Sequence, residues 1–546
     1  MIQLFKFKGG VKPNPNKSQS TQLPITQAPL VNRYIVPLHQ SVGGMPRPVV
    51  AVGDYVLKGQ RLGEADGWVS AAVHAPTSGT VVEIGPHIMP HPSGLPTDCV
   101  VIEADGRDEW IERRPFDIEN ASPDAVREHL RDMGIVGMGG AVFPSHVKLS
   151  VPRGKQIEQL VINGAECEPF ITCDDRLMRE QAHEVVQGSA LFGKLVNASK
   201  VLIGVEDNKP EAIAALKAAQ QELNAPVEVV TVPTIYPTGG AKELIRVLTG
   251  KEVPASKRST DFSVQVFNVA TVQSAWRAIT HGEPLISRIV TLSGNVGEAR
   301  NWSVPIGMPM GELIALANPL PDTDGIVMGG PMMGFRVPTP DAPVIKATNC
   351  LLAHSAKLFP PKPTEQQCIR CGSCAQACPQ ELQPFELYWW SRASKFDRLE
   401  KYKLFDCIEC GCCDYVCPSH IPLVNYFRFA KSEIQAAERA QGAADSARER
   451  HEFREERAER EKREKAERLA KANAARQAAG TTVTAAAAPT TEAAPTAGDK
   501  PVLDHEQATT PVGVDTHPVL DAATKQAAIA AAVEQARARR ENHNKH

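Results

Sequence analysis

Cys368-Ile-Arg-Cys371-Gly-Ser-Cys374-Ala-Gln-Ala-Cys378-Pro379 and Cys407-Ile-Glu-Cys410-Gly-Cys412-Cys413-Asp-Tyr-Val-Cys417-Pro418 are one spacing written twice. Nine of the chain's 13 cysteines fall in these two runs, and only Cys412 stands outside the repeat. Three cysteines at every third position bring three thiolates to one face of a tight loop, and the fourth, just before a proline, points away. Structural zinc also favours cysteines two residues apart, but it takes four ligands as two separated pairs and has no use for the third cysteine or the trailing Cys-Pro. Disulfides are disfavoured too. The remaining cysteines (Cys99, Cys167, Cys173, Cys350) are scattered, and the N-terminus lacks an apolar stretch of signal-peptide length.

The double run resembles the two-cluster motif of bacterial ferredoxins, in which the fourth cysteine of each run ligates the other run's cluster. That resemblance implies two [4Fe–4S] clusters. Cys368, Cys371, Cys374 and Cys417 would hold one, and Cys407, Cys410, Cys413 and Cys378 the other. A chain built this way moves single electrons.

The rest of the chain surrounds that module with several domains, for which 546 residues leave room. A formal charge of −3 lacks the basic excess of a nucleic-acid binder. No apolar run approaches the ~20 residues of a membrane span, so work at a membrane would require docking onto other subunits. Beyond an N-terminal extension (1–30), residues 31–110 alternate in short runs broken by Gly and Pro, the texture of a β domain. From Ser122-Pro123-Asp124, a capping serine with proline in the first turn, strands and helices alternate through 111–285. Strands are expected at 159–163, 201–206 and 227–232, and helices near 177–195, 209–223 and 240–249, which argues for a Rossmann-like parallel α/β core. Short strands return in 286–345, where a hairpin, one helix and a further strand suggest a β-grasp domain. The cysteine module occupies 360–432. Residues 433–480 read as a charged, solvated helix with pairs such as Glu456/Arg460 and Glu467/Lys471 four apart, stopped at Gly480. An Ala/Thr/Pro-rich disordered tail fills 481–546, with one marginal helix at 518–540. The fold class is thus multidomain α/β and α+β.

Residues 53–84 resemble the lipoyl/biotinyl barrel-sandwich hybrid fold, whose carrier versions place a lysine at a hairpin tip. Here that turn is Glu64-Ala65-Asp66-Gly67-Trp68, so the domain reads as a brace or docking surface. A glycine-rich segment, Gly134-Ile-Val-Gly137-Met-Gly139-Gly140-Ala141-Val142-Phe143-Pro144 with Lys148 beyond it, could crowd backbone N–H groups and a cation around a phosphate. It follows a helix where the dinucleotide fingerprint requires a strand, so spacing alone leaves a plain glycine-rich turn equally open.

This segment resembles the flavin loop of the NADH-oxidising subunit of respiratory complex I. Asn163-Gly-Ala-Glu166-Cys-Glu168-Pro169 and Phe267-Asn268-Val269-Ala270-Thr271 resemble two further blocks of that subunit, in the same order. With Tyr236-Pro-Thr-Gly239-Gly240-Ala-Lys242 and Gly329-Gly330-Pro331-Met-Met-Gly334, the arrangement over residues 30–432 resembles the RnfC family of Rnf electron-transport complexes. The resemblance implies a peripheral subunit on the cytoplasmic face of the bacterial inner membrane. Its partners would be integral-membrane and other subunits, with ferredoxin or a similar electron carrier. It would pass electrons between NADH and FMN and the two clusters. Gly137, Gly139, Gly140, Lys148, Asn163 and Asn268 would line FMN, Phe143 would stack near the nicotinamide, and Glu166 and Glu168 would stand at the flavin–nucleotide edge.

Departures from the complex I pattern are specific. Val142 stands for a glycine and Ala165 for an aspartate, and the Gly-Glu-Glu loop that holds nucleotide has no counterpart near 236–243. An electron-conducting adaptor that has lost nucleotide binding is therefore the rival reading, and a flavin subunit of a soluble hydrogenase or dehydrogenase is a third. His74 and His146 read as packing histidines, Cys167 as unreactive beside two glutamates, and Trp389-Trp390 as packing over a cluster.

Overall fold

The computed structural model describes residues 3–152, 154–254, 257–361 and 363–479. Gly480, the tail at 481–546 and the helix expected at 518–540 lie outside the described residues.

Four parallel strands form the sheet of the α/β core, in the order Glu228–Val232, Lys200–Glu206, Gln159–Gly164, Val264–Asn268. From the Gln159 strand the chain moves outward on one side, then returns to lay the Val264 strand on the other. That reversal opens a crevice at the carboxyl ends of these two strands, the usual ligand position in open α/β sheets. Asn163 and Asn268, paired in register, stand at its two lips. Helices pack on the sheet, burying Ile162, Phe192, Phe267 and Leu216 in one core and Val161, Leu202, Leu244 and Val266 in another. The single helix expected near 177–195 is two, Cys173–Glu180 and Ala182–Leu195, broken where Gln181 leaves helical geometry (φ −126°, ψ 34°).

Two small antiparallel sheets make the N-terminal domain. One has the order Arg33–Pro37, Pro96–Ala104, Gly79–Ile88, Tyr55–Val56, and the other Arg47–Pro48, Arg61–Glu64, Val73–His74. The turn where a carrier lysine would sit is pinned down. Arg131 donates to the carbonyls of Ala65 and Gly67, and His146 bonds the carbonyl of Trp68 at 2.8 Å. His146 is buried, and both residues flank the glycine-rich loop, so the hairpin braces that loop.

Lys346 completes the brace. Its ammonium, in a fully buried site, donates to the carbonyls of Ala72 (2.9 Å) and Gly134 (2.7 Å). Gly134 has φ +70°, and a side chain there would strike the Ala72 carbonyl, so only glycine fits. Burial pushes the Lys346 pKa down to about 7. An unfolded lysine titrates near ~10.4, so between about 7 and that value the unfolded chain holds the extra proton and stability rises with pH. Denaturant midpoints from pH 7 to 9 should therefore climb more steeply for the wild type than for Lys346→Met. Parallel slopes would mean the ammonium is not desolvated.

The six-stranded sheet that follows runs Thr26–Gln27, Arg300–Pro305, Ser287–Gly294, Cys350–His354, Gly325–Met328, Phe335–Arg336, with the helix Met310–Ala315 alongside. It reaches past both ends of the 286–345 segment read from sequence. Cys350–His354 pairs parallel with Ser287–Gly294, and Thr26–Gln27 of the N-terminal extension adds an edge. The charged helix also begins earlier than residue 433 and runs unbroken from Leu423 to Ala479. Its first turns bury Leu423, Val424, Phe427, Ala430 and Ile434 in the core of the cysteine module. Among the described residues no helix is long and apolar enough to cross a membrane.

Candidate functional site

The glycine-rich loop closes on itself, with Gly137 N–H donating to the Phe143 carbonyl at 2.8 Å. Two side chains then fasten it to the crevice. The Thr271 hydroxyl accepts from Met138 N–H (2.9 Å), and the buried Arg288 donates to the Met138 carbonyl. Gly139 lies against Asn268, whose Cβ would be 3.4 Å from an added side chain, and Gly140 has φ +108° with open space before it. Val142, where the complex I pattern has glycine, also takes a positive φ of 45°, a conformation that costs a β-branched residue about 1–2 kcal/mol.

Both asparagines are anchored. Asn268 Oδ1 caps the helix Val269–His281 by accepting from Ala270 N–H, while its Nδ2 donates to Asp174 Oδ2 at 2.7 Å. Asn163 Nδ2 donates to the Gly239 carbonyl (2.8 Å) and its Oδ1 accepts from Ala165 N–H. Lys148, on the short helix after the loop, sets its ammonium 4.8 Å from the centre of the Phe267 ring, next to Asn268 in sequence. No carboxylate pairs with it among the described residues, and burial lowers its pKa to about 8. A half-buried cation with no counter-ion among the described residues and a glycine turn with open space before it can offer charge and backbone N–H groups to a phosphate ester.

Glu166 and Glu168, expected at a flavin–nucleotide edge, both accept from backbone N–H groups in this structure. Glu166 is buried, its carboxylate accepting from Asp174 N–H (2.8 Å) at the start of the Cys173 helix. Burial raises its pKa to about 7 against the opposing pull of Lys17. Glu168 accepts from the N–H groups of Met332 (2.7 Å) and Met333 (3.2 Å), locking the Gly329–Gly334 turn onto the core. Both carboxylates are used by backbone donors because each is folded under a loop.

Sequence reading missed Lys17. It reaches from the extension to the carbonyls of Glu168 and Ile171, beneath the same loop. Its pKa is lowered, by burial first and then by Lys209. A lone lysine in a Pro/Asn-rich stretch gives no local sign of this. Phe143 is half-buried near the loop, and its carbonyl closes the turn.

A cavity of about 600 Å³ adjoins this site, sharing Met138, Asp174, Ala270 and Arg288 with it. Its charged walls are already paired: Lys58 with Asp108, and Arg277 with Glu184 and Glu283.

The cysteines divide into two sets of four. Cys368, Cys371, Cys374 and Cys417 line one cavity of the module. Cys378, Cys407, Cys410 and Cys413 line the other, together with Cys412, which is fully buried. At least four cysteines lining each cavity, with apolar walls from Phe385 and Leu423 or Leu387 and Phe427, fit a thiolate-ligated cubane. Trp389 and Trp390 line neither cavity. They pack in the module's own core, Trp389 against Tyr388 and Trp390 near Tyr402, in an apolar group that also takes in Cys374 and Cys413.

The crevice and the paired cysteine cavities define a flavin and iron–sulfur protein. Residues 130–277 match the Nuo51 FMN-binding domain, 5–107 the RnfC barrel sandwich hybrid domain and 367–421 a 4Fe–4S dicluster domain. The chain carries FMN and [4Fe–4S] clusters as its cofactors. The RnfC-type component of the ion-translocating oxidoreductase complex of Pseudomonas aeruginosa is 48% identical over 83% of this chain and 58% of its own length. Its counterpart in Pasteurella multocida is 47% identical over 82% and 54%, and that in Haemophilus influenzae strain 86-028NP is 46% identical over 82% and 68%. The chain belongs to this RnfC family of ion-translocating oxidoreductase components. It spans little more than half the length of the first two relatives. An NAD⁺-reducing [NiFe]-hydrogenase structure in its H₂-reduced state aligns over 61% of this chain and 70% of its own, at 19% identity and a TM-score of 0.42, too slight a likeness to carry weight.

Proposed function

We propose that this chain passes electrons from NADH, by way of FMN, to two [4Fe–4S] clusters, as a peripheral subunit of an ion-translocating complex on the cytoplasmic face of a bacterial inner membrane. Integral-membrane and other subunits of an Rnf-type complex, and ferredoxin or a similar carrier, are its partners. The carrying observation is a contact: Tyr236, on the loop that meets Asn163 through Gly239, donates its hydroxyl to the Cys410 carbonyl at 2.6 Å. Flavin crevice and cysteine cavity are thereby one packed unit.

In this reading Gly137, Gly139 and Gly140 offer backbone to the flavin phosphate, Lys148 supplies its counter-charge, and Asn163 and Asn268 hold the crevice lips. Phe143 lies on the nicotinamide side. Cys368, Cys371, Cys374 and Cys417 hold one cluster, and Cys378, Cys407, Cys410 and Cys413 the other. Bound FMN would supply the conversion between the two-electron chemistry of NADH and the one-electron chemistry of the clusters. The sheet around Ser287–Gly294 and Cys350–His354 is a β-grasp domain whose Gly329–Gly334 turn seals the crevice through Glu168.

The use of Glu168 and Glu166 by backbone favours a second reading, a conducting adaptor with no nucleotide site. Anaerobic absorbance of the reconstituted chain separates the two. Bleaching of flavin and iron–sulfur bands by NADH is expected, whereas bleaching by dithionite alone would establish the adaptor. Lys148→Ala should weaken FMN binding by about 10- to 100-fold, the loss of one charge-assisted contact, measured by flavin fluorescence quenching. FMN affinity of Lys148→Ala within twofold of wild type would place the phosphate elsewhere. Because the Lys148 pKa sits at about 8, wild-type FMN affinity should fall as pH rises through that value.

A further inference from the structure

The two cysteine cavities are not equivalent. The one holding Cys378, Cys407, Cys410 and Cys413 is enclosed by the rest of the molecule. Tyr236 bonds the Cys410 carbonyl, Gly9 packs so closely on Ala377 and Cys378 that a side chain would strike them, and Gly411 faces the Met332 carbonyl. Gly10 N–H donates to Ala377, and Gln380 bonds Glu243. Val11, Tyr236, Ala377, Cys410 and Cys412 form a shared apolar cluster with Cys167.

Both cavities are lined by residues of the module itself, but among the described residues the polar contacts around this one, Ser419 with Gln366 and Gln367, stay within the module. Cys371 is exposed, and Ile369 between the first two cysteines is 68% exposed. Arg370 beside it and His420 beyond Pro418 are exposed as well. Among the described residues Arg370 is the one charged side chain lining this cavity. The nearest acid upstream, Glu365, is taken up by Tyr388 and Tyr426.

We infer that the Ile369–Cys371 face is the chain's external electron port, the docking surface for a small iron–sulfur protein with an acidic rim, and that the enclosed cavity is the internal relay. This rests on the cluster assignment above but not on NADH oxidation. An apolar centre (Ile369) beside a cation (Arg370) with no ion pair among the described residues, over an exposed ligand sulfur, is the surface of a transient redox complex: little buried area, steered by charge. One electron leaves the chain across this face for each electron that reduces the partner's own cluster, and no bond is made or broken. The enclosed set cannot serve, because the extension, the Tyr236 loop and the Met332 turn cover it.

The test uses the full chain with both clusters reconstituted and an acidic two-cluster ferredoxin as probe. Dissociation constants are measured at low and high salt, and cluster content is measured by electron paramagnetic resonance spin count after reduction with dithionite, which makes each [4Fe–4S] cluster paramagnetic. Ile369→Glu and Arg370→Glu should each weaken binding by about tenfold or more at low salt, with both spin signals intact. Arg428→Glu, a charge reversal on the opposite cysteine run's side, should change it less than twofold. Unchanged binding for both Ile369→Glu and Arg370→Glu, or a larger loss for Arg428→Glu, would overturn the port. A wild-type chain with no cluster spin signal would overturn the cluster assignment instead, and the spin count reports that separately.

Discussion

Cys378→Ala should remove one [4Fe–4S] cluster and leave the other, and adding Cys407→Ala to it should remove nothing more. In the structure Cys378 does not face the cysteines of its own run. It lines the cavity of Cys407, Cys410 and Cys413, while Cys417 lines that of Cys368, Cys371 and Cys374. Proline after each fourth cysteine and the short helices Ser373–Ala377 and Cys412–Tyr415, packed on one another, turn the two runs past each other. If each run held its own cluster, Cys378→Ala and Cys407→Ala would strike different clusters, and the double variant would lose both. With crossed ligation they strike the same one. Iron should fall from about eight to about four per chain in either single variant and stay near four in the double. Cys417→Ala combined with Cys378→Ala should take it close to zero. Cys412 sits in the same cavity as Cys378 and could stand in as a ligand, so the single variant is also made with Cys412→Ala. Iron near zero in the Cys378/Cys407 double variant would refute the crossed arrangement.

The reasons these cysteines were readable, and other parts were not, lie in range. A three-residue cysteine spacing is local, and so are the apolar runs that announced strands at 159–163, 201–206 and 227–232 and the capping Ser122, which accepts from Ala125 as expected. The Asn163 and Asn268 blocks could be placed by resemblance, since strand ends are fixed by the same runs. The extension could not be read. Val11, Lys17, Ser20 and Thr26–Gln27 act only through partners more than 150 residues away, at Tyr236, Glu168, Thr172 and Trp302–Ser303. Cys350–His354 carries no polar alternation because it is a central strand, buried nearly throughout, so periodicity could not mark it. The backbone partners of Glu168 were not legible, because they lie far along the chain on the Gly329–Gly334 turn. Only the fold shows the Met332 and Met333 N–H groups that claim it. The broken helix at Gln181 and the early start of the Leu423 helix are the same kind of miss, boundaries set by tertiary packing.

Glu206→Gln should cost about 3–5 kcal/mol of stability, seen as a lower denaturant midpoint, with a matching loss of flavin affinity. Glu206 ends the Lys200 strand and bonds Lys209 at 2.6 Å, with both side chains at most 1% exposed. Burial alone would drive the Lys209 pKa down, but attraction to Glu206 and Glu166 leaves it above the ordinary value. The stabilisation from this pair is therefore complete below the unfolded lysine pKa and is lost only as pH climbs through the higher folded one. Glutamine keeps the shape and removes the charge, leaving an ammonium buried beside Lys17 with Glu166 as its remaining counter-charge. Lys209 also donates to the Glu166 carbonyl, so a displaced Lys209 disturbs the 166–174 segment that carries Asp174 to Asn268. Replacing both partners separates charge from packing: Glu206→Leu with Lys209→Met should recover most of the stability, because no unpaired ion remains. It should not restore the flavin affinity, because the Glu166 carbonyl has lost its donor. A Glu206→Gln variant within 1 kcal/mol of wild type would show that water reaches the pair. Recovery of both properties in the double variant would show that Lys209 plays no part in holding the crevice.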